Sequence, residues 1–297
     1  MKNPILPSPC PRRWGAFLYF AFAFSPVLSA QPVPPGGQWE LSATVAHSPS
    51  ASFKGSDDRI RSTRYSVGSS GRFALGEQGF LGLALRGSTV QNRWSPEAAR
   101  FGDFRELDFG ARWIRPVNDD WTFVGLAGMQ MAAERGTSIS SGDTYGLGGI
   151  VQYRVSPVLN VGLGALYNTR LDRSNRILPL ASVEWRISDH WQLASANGII
   201  LRYDVAADGR HQFEGSVLWS SVQFRATDAD GQRFSVEEKG WRFSLAYHFR
   251  HASGLHLRPY VALNERRDFE MRSQGQRIDR FRTGVAPSFG LTAAWRF

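Results

Sequence analysis

Charged side chains recur at alternate positions through much of this 297-residue chain, between apolar neighbours. Glu40, Arg64, Arg86, Glu106, Asp108, Arg112, Arg154, Glu184, Arg186, Arg202, Asp204, Arg242, Arg250 and Arg258 all fall on one side of that alternation. If they face a common interior, the arginines would focus potential on a passing anion while the carboxylates fix arginine geometry at a constriction. The same groups could instead interlock as hydrogen-bonded ion pairs and plug the space they share. Both outcomes need a closed wall of two-faced strands around them.

Other chemistry is thinly supported. Ser244 and His248 share one face of an alternating segment, but four residues at roughly 3.3 Å each separate them by about 13 Å, too far for a nucleophile and its base. Ser220 and Ser221 stand in no nucleophile motif, so no catalytic residue and no enzyme activity are expected. Gly146-Leu147-Gly148 and Gly162-Leu163-Gly164 do not open a helix, as a phosphate loop requires. They fall inside alternating segments, where glycine relieves crowding or lets a strand bend. Asp228-Ala229-Asp230-Gly231, with Glu237 and Glu238 beyond it, offers oxygens to a hard cation without the spacing of a calcium loop. It reads as a solvated loop, and no metal or cofactor site is expected.

The elements that would position these residues are strands. Hydrophobic residues make up 42% of the chain, aromatics 13% and charged residues 21%, yet no twenty-residue apolar run exists to form a membrane helix. The continuous apolar stretch Trp14 to Phe24 follows Lys2, Arg12 and Arg13 and precedes small residues ending at Ala30. This is the pattern of a signal peptide over residues 1–30. Its removal would take away Cys10, the only cysteine, and lower the formal charge of +9 by three. Residues 31–37 form a Pro/Gly-rich connector, and 38–297 the strand-bearing region. The basic charge is scattered along strands, which disfavours nucleic acid as a partner and favours anionic lipid or solutes.

Alternation runs for ten to thirteen residues in several segments, such as Leu107, Phe109, Ala111 and Trp113 against Glu106, Asp108, Gly110 and Arg112. This suits a tilted strand crossing a bilayer, which needs roughly 9 to 11 residues. Short links alternate with long polar ones, as in an up-and-down barrel with short periplasmic turns and long external loops. The expected strands are 38–47, 59–68, 79–90, 103–115, 120–133, 143–155, 158–168, 176–187, 190–196, 199–206, 213–226, 240–250, 255–264 and 284–297. That makes an all-β transmembrane antiparallel barrel of about fourteen strands, or twelve if the short strands around Asn197-Gly198 are miscounted. The same topology places Trp39, Trp113, Trp121, Trp185, Trp191 and Trp295 together at the periplasmic rim.

The chain ends in alternating apolar residues and a terminal aromatic: Phe289, Leu291, Trp295 and Phe297, with Gly290 in a small position. This segment resembles the β-signal of Gram-negative outer-membrane barrels. The resemblance implies recognition by the barrel-assembly machinery and a place in the bacterial outer membrane. Residues 176–193 also faintly resemble barrels of unknown function. The expected function is a passive channel or transporter for an unknown small solute. Its candidate lumen residues are Arg64, Arg86, Glu106, Asp108, Arg112, Arg154, Glu184, Arg186, Arg202, Arg242 and Arg250. The alternatives are a closed scaffold whose loops contact surfaces or lipopolysaccharide, and a membrane-edge lipid hydrolase. The arginine-rich segment 265–283 could meet lipopolysaccharide phosphates, or be a mobile charged loop that stays soluble.

Overall fold

The computed structural model describes residues 37–297 apart from 77–78, 96–98, 196–197, 229 and 265–266. The expected signal peptide, Cys10, the connector up to residue 36, Asn197, Glu265 and Arg266 lie outside the described residues. Among those described, no helix is long and apolar enough to cross a membrane. The described residues form sixteen strands: β1 (Gln38–Ser52), β2 (Arg59–Ala74), β3 (Phe80–Trp94), β4 (Phe104–Pro116), β5 (Trp121–Glu134), β6 (Asp143–Ser156), β7 (Leu159–Asn168), β8 (Arg176–Arg186), β9 (Trp191–Ser195), β10 (Gly198–Asp204), β11 (His211–Thr227), β12 (Arg233–Arg250), β13 (Leu255–Asn264), β14 (Asp268–Ser273), β15 (Gln276–Arg282) and β16 (Ala286–Arg296).

From β1 to β13 each strand pairs antiparallel with the next; β13 then pairs with β16, and β16 with β1. Fourteen strands thereby close a ring. Closure occurs between β1 and β16, where Leu41 lies opposite Trp295 and Val45 opposite Leu291. Trp39 and Phe297 exchange backbone hydrogen bonds at 3.0 Å. β9 and β10 are separate paired strands, which settles the count at fourteen instead of twelve.

Alternation decides which side chains face outward. Leu41, Val45, Val67, Leu85, Leu147, Leu163, Ile177, Leu245, Val261 and Leu291 are exposed on the outer surface, an apolar belt that a water-facing wall would not carry. The six tryptophans expected to share a rim all lie at the end where β1 begins and β16 finishes. Trp121 meets Tyr153 there, and Trp191 meets Tyr203, each with ring centroids 4.8 Å apart. Such amphipathic rings fit a boundary between apolar and polar surroundings.

Several expected boundaries move, and β3 runs on to Trp94 instead of ending at residue 90. β1 runs on to Ser52 because a bulge between Ser48 and Ala51 absorbs Pro49. β2 continues through Ser69-Ser70-Gly71, since partners on both sides satisfy its backbone whatever its side chains are. β12 starts at Arg233, not residue 240, and its extra turn-side residues pair with β11 and β14. The segment 265–283, read as a loop, contains the hairpin β14–β15, which lies along β12 as part of the sheet. Its turn, Gln274-Gly275, has positive φ at both residues, 49° and 83°, the backbone of a two-residue hairpin turn.

These additions reshape the end opposite the termini. β6 stops at Asp143, opposite Met131 of β5, so the last residues of β5 have a free edge. β10 stops at Gly198, opposite Leu218, while β11 continues for nine more residues. The upper part of β11 crosses to that free edge and forms a parallel bridge, Arg225 to Ala133. On the other flank, β14 and β15 rise above β13 and β16, and a bridge from Thr283 to Phe53 joins them to the β1–β2 turn. The wall therefore tapers, among the described residues, from fourteen strands to a narrower ring of β1–β5, β11, β12, β14 and β15.

Candidate functional site

A narrow ring brings inward side chains into contact across it. Val90, Phe101, Phe104, Ala132, Phe224, Ala226, Phe234, Val236, Phe269 and Met271 form one buried apolar cluster there, with Trp94, Val222 and Phe281 packed against it. Phe104 of β4 stacks on Phe224 of β11 at 4.3 Å between centroids, and Phe269 on Phe281 at 4.9 Å. The mouth at this end is thus filled by a protein core.

Charged networks flank the core on both faces of the β11–β12–β14 sheet. On one face Arg64 pairs with Glu106, and Arg267 with Glu238 at 2.6 Å. On the other, the β7–β8 connection folds back so that Arg170 meets Glu237 at 3.0 Å and Arg173 bridges Glu237 and Glu270. Lys239 and Arg272 complete this cluster at 3.7 and 2.8 Å from Glu270. Burial alone would raise the Glu270 carboxyl, but hydrogen bonds from Arg173 and Arg272 and the charge of Lys239 hold it at about 2. Asp268, similarly opposed by burial, is held below the usual carboxylate range by Arg280 and Arg282.

Below the core the interior is lined by ion pairs between strands one or two apart in the wall. Arg86 bonds Asp108 at 2.7 Å, and Gln130 donates to the other Asp108 oxygen at 2.8 Å. Glu214 receives Arg202 at 2.9 Å and Arg258 at 2.8 Å. His248 sits 3.4 Å from Glu214 and 3.1 Å from His256. Arg112 of β4 and Glu184 of β8 feel each other's charge across strands. Arg242 lies over the Tyr260 ring, 4.7 Å from its centroid.

The remaining expected interior positions lie near the terminal end. Glu40 pairs with Arg296 at 3.0 Å. Asp204 accepts from the Gly209 N–H at 2.7 Å, and Arg250 donates to the Gly209 carbonyl, so both hold the β10–β11 turn. Arg154 and Arg186 are exposed at the rim, away from any constriction. Ser244 bonds Ser216, and His248 faces Glu214, so the two do not act on one another in this arrangement. Asp228 folds its carboxylate back onto the N–H groups of Asp230 and Gln232, capping its own turn. The inward glycines are close-packed: a Cβ on Gly164 would stand 2.0 Å from the Gly149 carbonyl oxygen, and one on Gly148 2.5 Å from that of Ala165.

Sequence reading missed Glu237, Glu238, Glu270, Arg170 and Arg173, because their segments looked like solvated loops. The apolar alternation Phe269, Met271 and Phe281 around a Gln-Gly turn was the available signal of a hairpin.

Fold and interior together define a closed antiparallel barrel with an apolar belt, a charged lumen and one packed mouth. The chain belongs to the family described as domain of unknown function DUF6268, whose match spans residues 81–279. No curated protein matches it. Among solved structures, an outer-membrane channel from Pseudomonas putida F1 is 11% identical, covering 90% of this chain and 97% of its own, with a TM-score of 0.52. A deltaS2 mutant of the TodX monoaromatic hydrocarbon channel is 10% identical over 89% of this chain and 91% of its own, with a TM-score of 0.48. At such identities the first of these shares the fold alone.

Proposed function

We propose that the protein is a bacterial outer-membrane channel for small solutes, with both termini in the periplasm and its external mouth closed at rest by its own strands. The observation that carries this reading is the fourteen-strand wall with lipid-compatible side chains outside and ion-paired arginines inside. A fold relative that is an outer-membrane channel agrees with it. In the same reading Phe289, Gly290, Leu291, Trp295 and Phe297 on and after β16 are the segment the assembly machinery would recognise. The protein is not an enzyme in this account.

Permeability of liposomes holding the refolded chain tests the proposal. Vesicles with the native chain should admit small solutes slowly, and those with residues 268–282 deleted should admit them faster. Two equally tight preparations of correctly folded protein would contradict it and leave the closed scaffold. That second reading is favoured by the packed mouth itself. In it, Arg277 and its neighbours on the exposed β14–β15 hairpin would contact lipopolysaccharide phosphates, a role whose loss in an Arg277→Glu variant would show as weaker binding.

A further inference from the structure

Among the described residues, the wall has a stretch where neighbouring strands do not meet. β9 pairs with β8 only at Glu184, Trp185 and Arg186. Above them, residues 176–182 of β8 have β7 on one side and no described strand on the other. β11 above Leu218 has likewise lost β10. The gap is bounded below by the short β9–β10 hairpin. It is bounded above by the β7–β8 connection, where the Leu171 N–H donates to Gln223 at 2.9 Å and Asp172 pairs with Arg225.

Its edge is built for lack of a partner. The Arg186 N–H points to β7, donating to Val158, whereas the Val183 N–H points the other way, to the Ser195 hydroxyl. Strand alternation then puts the nitrogen of Pro179 on the Val183 side, at the open edge, where a missing N–H loses nothing. Along this β8 edge only Ile177 and Ala181 aim an N–H into the gap. Trp185 stands in the periplasmic girdle, so residues 182 to 177 rise about 8 to 20 Å into an apolar band roughly 25 Å tall, taking about 3.3 Å per residue and a tilt of about 40°. The opening lies at membrane depth.

Behind it Leu166, Leu178, Leu180 and Ile200 are buried, beside the buried hydroxyls of Ser182 and Ser216. On the β11 side, the Trp219 ring has its Nε1 buried with no hydrogen-bond partner. We propose that small apolar molecules bearing one hydrogen-bond acceptor enter sideways from the outer leaflet, between β8 and β11, and meet Trp219 on the way. The inference rests on the outer-membrane channel reading and supplies its solute class.

Nitroxide labels test it in the refolded chain in a lipid bilayer. Leu180→Cys carries the label at the opening. Leu163→Cys on the lipid face and Ser66→Cys on the far inner wall are the references. Oxygen dissolves in hydrocarbon and a nickel chelate in water, so the ratio of their collision rates reports the surroundings. The ratio at 180 should come within about twofold of that at 163 and well above that at 66. A value matching 66 overturns the inference, and would mean that another strand, from the first residues of the chain or a second copy, seals the edge. Entry of an apolar fluorescent dye into intact cells supplies the other arm. Production of the native protein should speed entry, and Ala181→Trp, with its folding verified, should cancel most of the gain. Dye entry indifferent to Ala181→Trp sinks the side opening but leaves the channel. No dye entry, with a lipid-like ratio at 180, sinks both.

Discussion

Glu214 is the carboxylate on which the lower interior depends, holding Arg202 and Arg258 while touching His248. Neutralising it leaves two guanidinium groups facing each other. Glu214→Gln should therefore cost about 3 kcal/mol of stability, read by urea unfolding of the membrane-inserted protein. The packed mouth has an equivalent in Phe224, fully buried and stacked on Phe104. Phe224→Ala should cost about 3 to 5 kcal/mol through the cavity it leaves, and by loosening the mouth should produce ionic current where the native protein passes little. Conductance across a planar bilayer checks this. At this scale the sequence showed which residues would point inward, because strand alternation fixes a side chain's face. It did not show their partners: Arg64 and Glu106 are two strands apart, and Arg154 lies on an inward position yet ends at the rim.

Strands of this barrel differ in how tightly they are packed. A methyl group on Gly164 would collide with the Gly149 carbonyl and with the Ile150 backbone, neither of which can swing aside, whereas a methyl group on Gly87 would meet nothing within 4 Å. Gly164→Ala should thus lower the yield of folded, heat-modifiable protein, and Gly87→Ala should leave it unchanged. The β14–β15 hairpin carries a pH dependence. The folded Glu270 carboxyl is depressed to about 2, below its unfolded value of roughly 4.3. Its contribution is complete above the unfolded value and lost as pH falls through about 2. Protection from hydrogen exchange in residues 268–282, taken relative to the intrinsic amide rate, should fall as pH drops through that acid window, and Glu270→Gln should make the protection low and largely independent of pH there. Most strands were legible from alternation and turn residues to within a few positions. β14 and β15 were not, because Arg277, Asp279 and Arg280 masked the apolar phase of Phe269, Met271 and Phe281 with charge.

Over the whole molecule, strand lengths set the shape. Short β9 and β10 end low in the wall, long β11 and β12 rise beyond them, and the surplus crosses the mouth to β5. The same mismatch closes the mouth and opens the side of the barrel. Fourteen strands could be counted from the sequence, but the taper could not, because it depends on a contact between residues 133 and 225 that no local pattern announces. That contact decides whether the mouth is closed. Neighbouring strands lie about 4.8 Å apart, within disulfide range, so Ala133→Cys with Arg225→Cys places two thiols on one face of adjacent strands. Mild oxidation of the folded double variant, prepared without residues 1–30, should link them in nearly every molecule and leave the barrel heat-modifiable. Thiols that stay free in folded protein would mean that β11 does not cross to β5, and that the mouth is open.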